Sequence, residues 1–247
     1  MASETPTAVY SNTFQLPGHE LDPRAPGMIE RDRQIMATRP GMFRKLLPLR
    51  IDESGVHTGG CYLFDTYENA KAYRDWVAND FVLDGVKFLD RPVIMEVRDQ
   101  LWHVVAFEDF DDVRSTQDAM RFERWHIAVR TDAETLRESQ WPTLRDRARA
   151  AGLTSAWLLY EPDEHHPQLG LVTVAARRRD DNGGAGVPDL SKLESAASLG
   201  EDIASELGAT KVFDRTSLVY MVWFPITGSD ADEPAIWPSS PPLPGPA

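Results

Sequence analysis

The sequence predicts an α+β protein built of two tandem βαββαβ units, and three observations point there. Short runs of β-branched and aromatic residues alternate with segments whose apolar residues recur every three or four positions, so strands and helices interleave. The order strand, helix, strand, strand, helix, strand is read twice, with a period of about 110–115 residues, which marks a duplicated domain rather than a solenoid. The clearest single stretch, residues 59–73 (GGCYLFDTYENAKAY), reads as a strand running straight into a helix.

In the first half, residues 9–16 alternate as a strand that Pro17-Gly18 ends, and residues 19–27, with two prolines and a glycine, form a loop. Residues 28–38 read as a helix burying Met28, Ile29, Ile35 and Met36, stopped by Arg39-Pro40-Gly41. Residues 42–52 are the second strand, where Pro48 favours an edge or a bulge. Glu53-Ser54-Gly55 makes a turn into the third strand, residues 56–64. Gly59 and Gly60 permit a tight backbone approach or a bulge where that strand begins. Asp65, with Glu68 three residues on, caps the next helix in the manner of a capping box. That helix runs from Thr66 to about Asn79 with Ala70, Tyr73, Trp76 and Val77 on one face. Residues 92–98 are the fourth strand.

The second half repeats the order. Residues 124–130 are a strand, and Thr131 or Asp132 caps a helical region reaching Ala151. Pro142 either starts a second helix after Trp141 or kinks the first, and Gly152 ends the region. Residues 154–160 and 169–177 are paired strands across a polar loop, followed by a glycine-rich connector at 182–187. Asp189 caps a helix with Leu190, Leu193, Ala197, Ala204 and Leu207 on one face, and Gly208 closes it before a long last strand at 211–224. Residues 102–122 pack as an extended arm between the halves. The expected domains are 1–118 with the arm, 119–228, and a proline-rich disordered tail at 229–247.

Composition sets outer bounds. A hydrophobic content of 42% and a charged content of 26% are those of a soluble globular chain. A net charge of −13 argues against nucleic acid, because phosphates would be repelled. No apolar run is long enough for a membrane span, and no signal peptide opens the chain, so the expected location is cytoplasmic. One cysteine allows no internal disulfide and no cysteine metal cluster.

Pro40-Gly41, a charged strand, a hairpin turn, Gly59-Gly60-x-Tyr62-Leu63-Phe64 and a helix carrying Ala72-Tyr73 together resemble the YdhR-like branch of the antibiotic-biosynthesis monooxygenase superfamily. The resemblance covers residues 40–98. It implies ferredoxin-like units paired into an α+β barrel, here within one chain as an intrachain dimeric α+β barrel. In length and layout the chain is similar to the oxygenases that open a ring of angucycline antibiotics of the jadomycin, gilvocarcin and kinamycin type. That similarity implies O₂-dependent hydroxylation, or Baeyer–Villiger-like cleavage, of a polycyclic quinone or hydroquinone made by aromatic polyketide biosynthesis. Reduced flavin (FADH₂ or FMNH₂) would be a diffusible cosubstrate from a separate flavin reductase, since the chain has no flavin fingerprint, and no metal is expected. A cofactor-free anthrone oxygenase, a non-enzymatic carrier of a hydrophobic small molecule, and a cyclase or isomerase are the other readings. The duplication either replaces a dimer or builds a homodimer of pseudo-dimers.

A ferredoxin-like unit covers one sheet face with its helices and leaves the other bare; two bare faces packed together enclose a cavity lined by alternate strand residues. In the last strand the lining is Tyr220, Val222 and Phe224, or Val219, Met221 and Trp223. In the opening strand of the second half it is Trp125, Ile127 and Val129, or His126, Ala128 and Arg130. His57, before Gly59-Gly60, is either a hairpin-end histidine facing water or a proton-transfer group. His126 faces the cavity if Trp125 lies in the helix layer, and a neutral imidazole there moves protons near pH 7. Trp102-His103 is a third group, either packing or functional. Tyr62, Phe64, Trp102, Trp125, Tyr160, Tyr220 and Trp223 are the candidate substrate-binding aromatics for a flat polycycle; the same rings suit any β-rich core. His165-His166 with Asp163 and Glu164 reads as a solvated loop rather than a metal site.

Overall fold

Residues 59–73 fold as a strand delivering the chain into a helix, and the surrounding elements follow from that unit. The computed structural model describes residues 5–18, 39–83, 85–111, 119–129, 131–163, 166–175 and 190–223. The helix expected at 28–38, the loop at 19–27, the connector at 182–187, the Asp189 cap and the tail at 229–247 lie outside them. The described residues fall into two units, one reaching to Leu101 and resuming at Tyr220, the other spanning Trp102–Val219.

The first unit contains β1 (Ala8–Leu16), β2 (Met42–Asp52), β3 (Gly55–Phe64) and α1 (Tyr67–Asn79). β3 lies between β1 and β2, antiparallel to both. Its pairing with β1 runs unbroken from Ala8↔Phe64 to Leu16↔Val56, so the glycine pair makes no bulge. Gly59 lies mid-strand at φ +154, and a Cβ there would collide with the carbonyl oxygen of Asn12. Close backbone approach is the reason for the glycine. The register shift in β2 falls between Met42 and Arg44, not at Pro48. The helix cap also differs from expectation by one residue. Thr66 is the N-cap, its hydroxyl accepting from Asn69 N at 3.1 Å. Asp65 instead ties the strand end down: its N–H donates to Gly41 O (2.9 Å), and its carboxylate accepts from Asn69 Nδ2 (2.8 Å).

A two-stranded hairpin of β4 (Val82–Leu83) and β5 (Val86–Lys87) follows, with a 3₁₀ turn at Phe88–Asp90. The fourth long strand, β6 (Met95–Asp109), corrects the sequence reading twice. It starts three residues later than expected, after Pro92, and it continues to Asp109, into the segment read as a packed extended arm. The arm is strand because Leu101, Trp102 and Val105 all bury side chains and the backbone of 103–109 pairs with residues 155–160 of the second unit, to which it belongs.

In the second unit β7 (Ala119–His126), β8 (Ser155–Glu161), β9 (Gln168–Ala175) and β10 (Thr210–Trp223) form an antiparallel sheet in the order β10-β7-β9-β8. Numbered within the unit this is 4-1-3-2, the ferredoxin-like order, and the C-terminal part of β6 adds beside β8. β7 begins five residues earlier than expected. Asp132 caps α2 (Ala133–Ser139) by accepting from Thr135 N at 2.8 Å. Pro142 stands in the first turn of α3 (Trp141–Ala150), so it starts a second helix rather than kinking one. The later helical region is likewise two helices, α4 (Leu190–Ser195) and α5 (Ala197–Glu206). Gly152 and Gly208, both at positive φ, close α3 and α5. Trp125, Ile127, Leu158, Tyr160, Leu169 and Leu171 pack against Leu136, Leu144, Ala148, Leu199 and Ile203 to make this unit's core. Among the described residues no helix is long and apolar enough to cross a membrane.

Candidate functional site

Strand alternation in the second unit separates two faces with different chemistry. Trp125, Leu169 and Tyr160 share a cross-strand row, and all lie in the cluster that packs against the helices. The rows between them therefore belong to the helix-free face. One such row is Phe213, Arg124, Gly170 and Leu159; the next is Arg215, Phe122, Val172, Trp157 and Phe107.

Ring contacts confirm that these rows meet. Trp102 sits edge-on to Phe122 with centroids 5.9 Å apart, and Phe122 meets Phe213 edge-on at 6.0 Å. Gly170 makes room for the indole, since a Cβ there would stand 3.2 Å from Trp102 Cζ3 and 3.1 Å from Leu159 Cβ. Arg124 places its guanidinium carbon 4.3 Å from the Phe213 ring centre and 5.8 Å from that of Phe122. Arg215 approaches the same Phe213 ring at 5.1 Å. Trp102 and Trp157 are fully buried, whereas Arg124, Phe213 and Arg215 are only half-buried. The result is a buried aromatic row that ends at the half-buried Phe213 ring, with two guanidiniums against that ring.

The opposite face carries the charge network. Glu123, 1% exposed, lies 3.3 Å from Arg121 Nη2 and accepts from Lys211 Nζ at 3.0 Å. Arg121 also makes a forked pair with Asp214, Nε to Oδ1 at 2.8 Å and Nη2 to Oδ2 at 2.5 Å. Burial pushes the Glu123 carboxyl above its ordinary range, and the two cations offset this only in part. Asp214 moves the other way: burial opposes its charge, but Arg121 and Lys211 outweigh that and hold it below the ordinary carboxylate range. Lys211 lies 5.6 Å above the Trp125 ring, so this network roofs the helix-side core.

The residues singled out from sequence are dispersed. Trp102 is on the helix-free face. Trp125 and Tyr160 are in the helix-side core, with Tyr160 OH donating to Thr131 O at 2.7 Å. Tyr62 and Phe64 lie in the first unit's core against α1, both tilted against the Tyr73 ring at 4.9 and 5.4 Å. Tyr220 and Trp223 lie in β10, with side chains outside the described residues. His126 closes the helix-free side of β7, is exposed, and stacks on His166 at 5.7 Å. His165 is outside the described residues, and among those described no group of histidine, cysteine or acidic side chains has metal-binding geometry.

His57 belongs to the β2–β3 turn. Its Nε2 lies 2.7 Å from Ser54 Oγ and 3.1 Å from Asp52 Oδ1, while Ser54 Oγ donates to that same Oδ1 at 2.6 Å. Serine and aspartate therefore share one ring nitrogen, which is not the relay geometry of a nucleophilic triad. The Ser54 hydroxyl, then its N–H and His57, hold the Asp52 carboxyl well below the usual range.

Phe122, Arg124, Phe213 and Arg215 escaped the sequence reading. Their signal is present: Phe-x-Arg occurs at strand spacing in both β7 and β10. It was missed because β7 was started at Arg124, which left Phe122 in the arm.

No family model matches the chain, and no curated protein does. Solved structures do. An anthrone oxidase-like protein matches with a TM-score of 0.51 at 10% identity, covering 96% of this chain and 98% of its own. A candidate monooxygenase from Fusobacterium nucleatum gives 0.49 at 8% identity, over 89% and 95%. A ferredoxin-fold protein from Listeria monocytogenes, related to antibiotic biosynthesis monooxygenases, gives 0.39 at 11%, over 90% and 97%. What the first likeness shows is the fold, the tandem ferredoxin-like α+β type that the sequence predicts.

Proposed function

We propose that this chain is an O₂-dependent oxygenase of aromatic polyketide biosynthesis, acting on a polycyclic quinone or hydroquinone of angucycline type by hydroxylation or Baeyer–Villiger-like ring cleavage. The observation that supports the oxygenase class is the match, over 96% of the chain, to a protein described as anthrone oxidase-like. The helix-free face of the second unit is where such a substrate would lie. Phe213, half-buried, supplies the ring surface of this reading, and the buried rings of Trp102 and Phe122 pack edge-on behind it. His126, on the same side of β7 and in contact with solvent, is the proton-transfer residue of this reading; His57 is engaged in its turn.

Reduced flavin from a separate reductase is the proposed diffusible cosubstrate, supplying the two electrons that a monooxygenation of this kind requires. Phe213, the half-buried ring of this row, is the residue on which an isoalloxazine would stack in this reading. The name of the matched structure favours a second reading, a cofactor-free oxygenase. There an anthrone-type substrate itself supplies the electrons: one atom of O₂ becomes the ring carbonyl oxygen and the other leaves as water.

Oxygen uptake with an anthrone and with a hydroxylated polycyclic quinone, each with and without a reductase supplying reduced flavin, decides between them. Flavin-dependent uptake with an oxygenated product supports the first reading, and uptake without flavin supports the second. Binding of the polycycle with no uptake under either condition overturns both and leaves a carrier. Turnover under anaerobic conditions would instead make the protein a cyclase or isomerase.

A further inference from the structure

We propose that Trp76 and the tyrosines 10, 62 and 73 of the first unit form a one-electron relay, through which an oxidising equivalent that strikes the surface indole passes to the buried phenols. Tyr10 and Tyr62 are direct cross-strand partners with stacked rings, centroids 5.6 Å apart. Gly60 leaves room for the Tyr62 ring, because a Cβ there would overlap its Cζ and Oη. Tyr73 of α1 meets Tyr10 at 5.7 Å and Tyr62 at 4.9 Å. Trp76, one turn further along the helix, meets Tyr73 at 5.7 Å. The three phenols are at most 5% exposed, whereas Trp76 is half-buried and is the end of the row that solvent reaches.

Phenol and indole are the most readily oxidised ring side chains, and rings in contact exchange an electron without a mobile carrier. Charge sets the direction. The guanidinium carbon of Arg39 lies 3.6 Å from the centre of the Trp76 ring. A fixed cation at that distance disfavours a second positive charge on the indole, so a radical cation formed there is driven to give up its charge. A phenol can take it, because an oxidised phenol sheds its positive charge by losing its proton and rests as a neutral radical. Burial pushes the Tyr10 phenol well above its ordinary value, and Asn12 Nδ2 donates to its hydroxyl at 3.4 Å. The inner end of the row is therefore phenol and not phenolate, and its electron and proton leave together.

The inference rests on the functional reading for the source of the oxidant, a peroxyl radical escaping from O₂ chemistry. That radical takes one electron from Trp76 and one proton from solvent and becomes a hydroperoxide. The indole radical cation takes one electron from Tyr73, and the phenolic proton passes to solvent. The net change is one phenol and one peroxyl radical converted to one tyrosyl radical and one hydroperoxide. The three phenols in contact share the radical, and the indole is spared irreversible oxygenation.

The test is flash photolysis of the full chain with a ruthenium(III) polypyridyl complex, an outer-sphere one-electron oxidant too large to enter the fold. In the parent the indole radical absorption should decay as that of a tyrosyl radical rises. Trp76→Phe should lose most of the tyrosyl signal. Tyr73→Phe should leave a longer-lived indole radical and little tyrosyl, and Arg39→Gln should slow the transfer. Trp141→Phe, which removes a half-buried indole of the second unit, should leave the tyrosyl yield unchanged. Circular dichroism shows whether each variant has folded, and the Trp76 variant carries the test if Tyr73→Phe does not. No tyrosyl radical in the parent, or an undiminished yield in Trp76→Phe, overturns the proposal. The measurement needs no substrate and no turnover. A working relay with no O₂ uptake on any polycycle sinks the oxygenase reading alone, and uptake without a tyrosyl radical sinks this one alone.

Discussion

Gly200 of α5 faces Trp125 of β7 so closely that a Cβ built on the glycine would overlap Cη2 and Cζ2 of the indole. The helix lies on the sheet with no side chain between them, and Trp125 is buried beneath it. Two effects compete at this position. Exposed helix propensity alone favours alanine over glycine by about 1 kcal/mol. Overlap with a rigid ring in a filled core costs about 1–3 kcal/mol and sometimes more. Because the indole is hemmed in by Lys211 above, we expect the overlap to win. Gly200→Ala should lower stability by about 1–2 kcal/mol, read as a reduced urea midpoint with an unchanged slope. A variant as stable as the parent would show that α5 shifts freely on the sheet.

Gly59 makes the corresponding prediction for the first unit, with a backbone obstacle instead of a ring. At φ +154 an alanine is strained wherever its methyl points, and here it points at the carbonyl of Asn12. No rotamer change relieves a clash with backbone. Gly59→Ala should cost about 3 kcal/mol or more and open the β1–β3 pairing. Hydrogen exchange at β1 and β3 amides is the measurement, and protection equal to the parent would contradict the register.

How much of this was legible in the sequence follows from what alternation can and cannot tell. The strand-to-helix unit at 59–73, the Pro142 and Gly152 punctuation and the second unit's strand order emerge as read, because glycine, proline and caps act locally. The faces do not. Tyr62 and Phe64 looked like lining and are core, since the period of two gives a pair of sets without naming which one meets the helices. The guanidinium pair was hidden for a different reason. Arg124 and Arg215 are 91 residues apart and become neighbours only through the antiparallel register of β7 with β10. The same holds for Glu123 and Lys211, which the register of β7 with β10 brings to 3.0 Å. An error of a few residues at a strand start, as at β7, is enough to lose such a pair.

Cys61 gives a simple probe of the first unit. It is buried, and desolvation pushes its thiol well above the ordinary range, so almost no thiolate exists at neutral pH. Native protein should therefore fail to react with a thiol-specific disulfide reagent on a scale of minutes. It should react stoichiometrically once denaturant passes the unfolding midpoint. Prompt labelling of native protein would mean that β3 opens locally.

The Arg121, Glu123, Lys211 and Asp214 network predicts two pH dependences of opposite sign. Glu123 is held above its ordinary value of 4.5, burial being the largest cause. Between 4.5 and its folded-state value the folded chain binds more protons than the unfolded one. The stability it contributes is therefore full below 4.5 and lost as pH rises through the folded pKa. Asp214 is held below its ordinary value of 3.8: burial opposes the charge, and the Arg121 fork overcomes it. Its contribution is full above 3.8 and lost as pH falls through the folded pKa. Removing each group removes its slope. Measured against the parent by urea denaturation from about pH 3 to 8, Glu123→Gln should gain relative stability as pH rises above 4.5. Asp214→Asn should lose relative stability as pH rises through the region below 3.8, by about 1 kcal/mol given its partial exposure. Both differences should shrink little with added salt for Glu123, which water barely reaches, and more for Asp214. Slopes of the same sign in the two variants would mean that Glu123 is ionised and fully compensated by its two cations, and that burial does not govern it.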